Sequence, residues 1–244
     1  MTEAVPRLRV IAGPNGSGKS TIKSLLRPEW LGTYVNPDDI EAAIRNLGCF
    51  NFEAYGVTAS QTEIAQWLST SKLLLRADLT SDIAQLEISD GRIGFASIEP
   101  NSYWASVIAD MTRHKLLESR TSLTFETVMS SADKVEFMRL AQAIGFRTYL
   151  YFVATEDPFI NVARVRHRVK MGGHDVPEDK IVSRYDRSLS LLADAIKAAH
   201  RAFIFDNSGR ESVLLAEITN GVGVRPQVDR LPVWFQEIYD LQLR

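Results

Sequence analysis

The chain carries one cysteine, Cys49, in 244 residues. An internal disulfide is therefore excluded, which fits a reducing compartment and predicts a cytoplasmic protein. Cys49 reads as a small buried side chain, with a reactive thiol as the other reading. An excess of either charge is also missing. Lys and Arg number 28 against 30 Asp and Glu, for a formal net charge of −2. No overall basic field can hold a nucleic-acid backbone, so nucleic acid is not an expected partner, although a local basic patch stays open. No stretch approaches the ~20 apolar residues that span a bilayer, and a membrane partner is not expected. Met1 to Pro6 show no basic segment followed by an apolar run, so no signal peptide is expected. Repeats, low-complexity tracts and linkers are missing too. What remains, with 45% hydrophobic and 24% charged residues, is an ordinary globular composition long enough for one large domain.

Against that plain background one stretch stands out: Gly13-Pro14-Asn15-Gly16-Ser17-Gly18-Lys19-Ser20-Thr21. It fits G-x-x-x-x-G-K-[ST], the P-loop. Leu8 to Ala12 before it read as a buried strand, and Thr21 to Leu26 after it as the first turns of a helix. The glycines let the backbone wrap a phosphate, and the helix N-terminus adds partial positive charge. Lys19 would reach the β- and γ-phosphates, and the Ser20 hydroxyl would ligate magnesium. ATP and Mg2+ are the expected cofactors.

Further along, Thr33 to Val35 read as a short strand running into Asn36-Pro37-Asp38-Asp39, with Asp38 able to cap a helix over 39–47. A helix is predicted near 59–76, then short β or irregular pieces to residue 98; we read 48–98 as an inserted lid or subdomain. Helical spacing returns over 101–119. A strand at 122–125 ends in Glu126-Thr127, on the sheet edge where open α/β sheets bind ligands. A helix over 132–144, a central strand at 148–153, an Arg-rich helix from Asn161 to Met171 and a long helix over 178–199 follow. Ala202 to Phe205 form the last core strand, and a helix over 210–219 closes the domain. In the tail, 222–244, the residues Val233, Trp234, Phe235, Ile238 and Tyr239 fall mostly on one side and pad the core; a partner surface is the alternative. Alternating strands and helices argue for one α/β domain, 1–244, with a parallel sheet covered on both faces.

A guanine-reading N-K-x-D is absent, as is the strand ending h-h-h-h-D-E of many motor ATPases. The remaining layout is that of a small-molecule kinase: acids at two strand ends and arginines on a helix after the fourth strand. The sequence resembles the zeta-toxin family of P-loop kinases. The resemblance rests on Gly13 to Thr21, Val35-Asn36-Pro37-Asp38, Phe125 to Ser130, Asn161, Arg164-Val165 and Arg168-Val169. It continues through Gly172-Gly173-His174-Asp175-Val176-Pro177, Arg184-Tyr185 and Asp206-Asn207-Ser208. It implies a P-loop NTPase fold of nucleoside-monophosphate-kinase type, with a five-stranded parallel sheet in the order 2-3-1-4-5. It also implies transfer of the ATP γ-phosphate to a hydroxyl of a nucleotide-sugar such as UDP-N-acetylglucosamine, and a small antitoxin protein as partner. Residues 48–98 depart from the family pattern, so a NAD-like dinucleotide or a nucleic-acid end stays open as acceptor. An ATP-binding switch without turnover stays open as well.

The roles follow from the chemistry of phosphoryl transfer, which needs alignment and charge neutralisation. As the family base does, Asp38 would take the proton of the attacking hydroxyl; capping alone is its other reading. Asp39 is a charge at a helix start that could stand in for it or hold a metal-bound water. Glu126, with Thr127, would bind substrate hydroxyls or a water on magnesium, or Glu126 is simply a buried carboxylate. Arg164 and Arg168 lie four apart, on one helix face, and would grip phosphate oxygens. Arg184 would contact the nucleotide, stacking on adenine. For any single arginine, surface solubility is the competing reading. Arg166 points elsewhere. His174 reads as a loop hydrogen-bonder, and Gly172-Gly173 would let the loop close as a lid.

Overall fold

A computed structural model describes residues 4–173 and 175–240. His174, read above as a loop hydrogen-bonder, lies outside the described residues. In chain order the elements are β1 (Arg7–Ala12), α1 (Lys19–Leu25), α2 (Pro28–Leu31), β2 (Thr33–Val35), α3 (Pro37–Leu47) and β3 (Cys49–Asn51). Then come α4 (Gln61–Ser69), α5 (Lys72–Arg76), β4 (Glu87–Ser89), β5 (Arg92–Gly94), α6 (Ser102–Glu118), β6 (Leu123–Thr127) and α7 (Asp133–Ala143). The remainder is β7 (Arg147–Ala154), α8 (Pro158–Lys170), α9 (Glu178–Ser190), α10 (Leu192–Lys197), β8 (Arg201–Asp206), β9 (Val213–Thr219), β10 (Gly223–Pro226) and α11 (Val233–Ile238).

The chain divides into two compact units, one of Met1–Leu31 and Phe125–Arg244, the other of Gly32–Thr124. The first holds strands in the order β10-β9-β8-β7-β1-β6. β1 and β7 run parallel with Val10 opposite Leu150, and β7 and β8 run parallel with Leu150 opposite Ala202. Because side chains alternate across a strand, Leu8, Val10, Leu150, Phe152, Ala202 and Ile204 share one fully buried face. Each such large apolar side chain contributes roughly 1.5–3 kcal/mol by leaving water. On the other face Tyr151 and Val153 pack against Ile22 of α1. β6 begins in the second unit, where Thr33 N–H of β2 donates to Ser122 O at 3.0 Å. The expected order 2-3-1-4-5 is β2-β6-β1-β7-β8 in these labels, and the sheet has it.

Two strands more than expected complete the sheet. The helix anticipated over 210–219 is instead β9, antiparallel to β8, with β10 antiparallel beyond it. Residues 213–219 contain Leu, Ala and Glu, all good helix formers, yet they satisfy the outer edge of β8, whose N–H and C=O groups would otherwise be unpaired. A register shift between Ile204 and Phe205 accommodates the pairing. The long helix foreseen over 178–199 breaks at Leu191 into α9 and α10. In the tail, Trp234 and Phe235 of α11 are buried, whereas Val233 is exposed.

The second unit is built on α3 and α6. Ile40 and Ile44, one turn apart, and Trp104, Ile108, Met111 and Leu116 are all buried. Residues 48–98 contribute a three-stranded antiparallel sheet, β3-β5-β4, with Phe50 and Ile88 opposite Ile93. The helix foreseen at 59–76 is two. α4 begins in a capping box between Ser60 and Glu63, and Ser71 starts α5 by accepting from Leu74 N–H at 3.3 Å. An ion pair between Lys115 and Glu63 ties α6 to α4 and holds the Glu63 carboxyl down at about 2. Cys49 is half-buried in β3.

Candidate nucleotide site

The loop between β1 and α1 folds as its glycines demand. Gly13, Gly16 and Gly18 have φ of 143°, 76° and 102°, in a region that L side chains rarely adopt. Each also lies against a neighbour. A Cβ on Gly13 would sit 2.0 Å from Val153 O, one on Gly16 2.6 Å from Asn161 O, and one on Gly18 2.1 Å from Asn207 Nδ2. The ends of β7 and β8 and the start of α8 thus press on the loop from outside. Asn207 Nδ2 donates to Ser17 O at 2.8 Å, and Gly13 N–H donates to Thr127 O at 3.2 Å. Lys19 Nζ donates to the carbonyls of Gly13 and Pro14 at 2.9 and 3.0 Å, so its ammonium lies over the loop it would share with a phosphate. Ser20 and Thr21 are exposed in the first turn of α1.

Several polar atoms here are buried and without a hydrogen-bond partner: Asn15 Oδ1, Ser17 Oγ, Asn161 Nδ2, Arg164 Nη1 and Ser212 Oγ. Buried polar groups are ordinarily paired, so their concentration around one loop marks a place built for a polar ligand. A cleft of about 510 Å³ opens beside it, lined by Gly18, Thr21, Arg164, Asn207, Arg210 and Ser212 among others. Its charged walls and the helix N-terminus suit a nucleotide phosphate. Among the described residues there is no cluster of three or more His, Cys, Asp or Glu able to hold a metal. The Ser20 hydroxyl, exposed in the first turn of α1, is a hard oxygen of the kind that Mg2+ accepts.

The other expected residues fall into four places: the end of β6, α8, α9 and the start of α3. Glu126 and Thr127 end β6, half-buried, with Thr127 bonded directly to the P-loop. After them Met129 is buried with φ of 56°, its N–H donating to Thr127 Oγ1 at 2.9 Å, while Ser188 Oγ donates to Val128 O at 2.7 Å. A left-handed non-glycine residue held this firmly beside a ligand loop is stored strain. On α8, Arg164 lines the cleft and donates to Gly209 O at 3.3 Å. Arg168, one turn on, lies beneath Gly173, whose Cβ would sit 2.6 Å from Arg168 Cγ. Arg166 pairs with Glu178 across α8 and α9. Arg184 is half-buried on α9 and is not among the cleft residues.

Asp38 and Asp39 belong to the second unit. The capping foreseen for Asp38 is done by Asn36, whose Oδ1 accepts Asp38 N–H at 3.1 Å, and the helix starts two residues earlier, at Pro37. Both carboxylates are exposed in the first turn of α3. Asn207 and Asn161 were visible in the sequence only through the family resemblance, and Arg210 and Ser212 were not singled out. They follow a strand end, the usual ligand edge of such sheets, and that was the available signal.

A second cleft of about 1000 Å³ lies among α9, β8 and α11, bordered by Asp157, Tyr185, Asp206 and Trp234. Burial pushes the Tyr185 phenol up to about 12, and the nearby carboxylates of Asp157, Asp186, Asp206 and Glu156 add to it. Its hydroxyl donates to Thr155 O at 2.6 Å, and Thr155 Oγ1 donates to Asn161 Oδ1 at 2.6 Å.

Comparison with known proteins bears out the resemblance. Residues 102–218 match the family model described as Zeta toxin, a stretch that begins after the P-loop and contains Glu126, Arg164, Arg168, Arg184 and Asp206-Asn207-Ser208. A curated relative, an uncharacterized protein of Haemophilus influenzae, is 31% identical over 72 residues, 30% of this chain and 51% of that protein. The crystal structure of AvrRxo1-ORF1:-ORF2 with ATP matches with a TM-score of 0.54 at 16% identity, over 99% of this chain and 64% of that one. The structure from the PezAT chromosomal toxin–antitoxin system of Streptococcus pneumoniae matches with a TM-score of 0.52 at 14% identity, over 98% and 79%. The chain thus spans about half the length of the curated relative and under two thirds of the AvrRxo1-ORF1:-ORF2 chain.

Proposed function

We propose that the chain is an ATP- and magnesium-dependent kinase of the zeta-toxin type, transferring the γ-phosphate to a hydroxyl of a nucleotide-sugar such as UDP-N-acetylglucosamine. The observation that carries the reading is the P-loop with its surrounding unpaired buried polar atoms and Arg164 in the adjoining cleft. In this reading Gly13 to Thr21 cradle the phosphates, and Lys19 leaves the carbonyls of Gly13 and Pro14 for phosphate oxygens. Arg164 and Arg168 neutralise charge that builds up in the transition state. Magnesium, when held at Ser20, supplies further charge neutralisation on the phosphate oxygens. Asp38 accepts the proton of the attacking hydroxyl; its carboxylate is not engaged as a helix cap, which suits that use. Glu126, Thr127 and Asp39 contact the acceptor, and Arg184 the nucleotide. A small antitoxin protein is the expected partner. No described helix is long and apolar enough to cross a membrane.

A second reading keeps the chemistry and changes the acceptor to a NAD-like dinucleotide. The three-stranded sheet in 48–98 supports it, because that segment departs from the family pattern. The test supplies labelled ATP with UDP-N-acetylglucosamine and NAD together. Label on the nucleotide-sugar supports the first reading and label on NAD the second. ATP bound, with no transfer to any nucleotide-derived hydroxyl, refutes both.

A further inference from the structure

Behind the nucleotide loop, in the same unit, runs a hydrogen-bonded chain that starts at the C-terminal helix. Trp234 Nε1–H donates to Asp206 Oδ2 at 2.8 Å. The same oxygen accepts Ser208 Oγ–H at 2.9 Å, and Asp206 Oδ1 accepts Ser208 N–H at 2.9 Å. Ser208 Oγ in turn accepts Glu156 N–H at 2.9 Å. Between these anchors sits Asn207, 8% exposed, with its N–H on Ala154 O at 2.8 Å and its side chain on Ser17 O at 2.8 Å. The turn 206–208 is therefore clamped on one side by an indole and on the other clamps the P-loop at Ser17 and Gly18. Trp234 is 7% exposed, and its ring lies 5.6 Å from that of Phe235.

Resting on the nucleotide reading above, we propose that Trp234 is a positioning residue for the nucleotide site, acting through Asp206 and the Asn207 amide. Among the described residues, the indole N–H reaches the Asp206 carboxylate from a distant part of the sequence, whereas the Ser208 donors come from two residues away. A half-buried carboxylate oxygen that loses one of its two donors re-aims toward Ser208, and the turn that carries Asn207 shifts with it. A loop whose amides must converge on phosphate oxygens tolerates little displacement. The C-terminal segment thus sets how well the P-loop is arranged before nucleotide arrives.

Trp234→Phe keeps an aromatic ring and removes the N–H. ATP affinity by calorimetry is expected to weaken about tenfold, with kcat at saturating ATP changed less than about twofold. Ser208→Ala, which cuts the chain one link further on, should give a similar split. In the absence of nucleotide, amide exchange at Ser17 and Thr21, bonded to Pro14 O and Gly18 O, should quicken in Trp234→Phe. A purely local role would quicken exchange only around Phe235 and Gln236. Unchanged ATP affinity and unchanged exchange at Ser17 in both variants overturn the proposal. If the wild-type chain binds no ATP while Trp234→Phe still quickens exchange at Ser17, the hydrogen-bonded chain stands and the nucleotide reading is removed.

Discussion

Replacing Gly18 by alanine probes how the P-loop is held, and the outcome can be worked out in parts. Gly18 is the N-cap of α1 with φ of 102° and ψ of 31°. A Cβ in a left-handed conformation costs roughly 1–2 kcal/mol. It would also stand 2.1 Å from Asn207 Nδ2, so the amide must swing away and lose its 2.8 Å bond to Ser17 O. A buried carbonyl left without its donor costs roughly 1–3 kcal/mol. Gly18→Ala should therefore destabilise by about 2–5 kcal/mol, and Asn207→Ala alone by about 1–3 kcal/mol. The lost bond is common to both, so the double variant should fall no further than Gly18→Ala itself. That is a coupling of about 1–3 kcal/mol relative to additivity. Gly16→Ala behaves differently, because its Cβ meets the backbone carbonyl of Asn161 at 2.6 Å, which no side-chain deletion at 207 relieves. Its cost should add to that of Asn207→Ala within about 0.5 kcal/mol. Denaturant unfolding of the five variants and wild type measures all of this. If Gly18→Ala and Asn207→Ala sum fully, the side chain of Asn207 is not what excludes a Cβ at position 18.

Further outcomes follow from the site. Asp38→Ala should lower kcat by about 10²–10⁴ while ATP binding and melting temperature hold, since Asn36 caps the helix; retained transfer would refute the base assignment. Arg164→Ala should weaken ATP binding and lower kcat by about 10²–10³, read in steady-state kinetics; unchanged values would leave it a partner of the Gly209 carbonyl only. Tyr185 gives a pH signature. Its folded pKa, about 12, lies above the usual 10, so the folded state holds the proton more tightly. Its contribution is complete below pH 10 and declines as pH rises from 10 through 12. Tyr185→Phe should flatten that part of the stability profile, and an equal decline in both proteins would refute it.

The parts of the fold that were readable in the sequence are those fixed by local chemistry. The P-loop was readable because a strand, three glycines and Lys19 have to coincide there. β7 was readable because every residue from Leu150 to Ala154 is buried, which leaves an unbroken apolar run. β9 was not, because what decides it is the open edge of β8, two elements of tertiary context away from any propensity. The break at Leu191 has no glycine or proline to announce it, and α10 is set by the burial of Leu192, Ala193, Ala195 and Ile196. Around the cleft, Arg164 stood out by type and spacing, whereas Arg210 and Ser212 became visible only once the turn after β8 was placed. The chain from Trp234 to Ser17 joins residues 217 positions apart through side chains that are individually unremarkable, and no periodicity could have shown it.

The hairpin of β9 and β10 has a consequence for how the protein behaves in company. A sheet grows by adding strands at its rim, and here the rim is β10, four residues long, carrying the exposed Arg225 and finishing in Pro226, which has no amide proton to offer. An incoming strand would meet a short ledge with a positive charge and a missing donor. The molecule can therefore be crowded, or held against a partner elsewhere on its surface, without its sheets fusing along that margin.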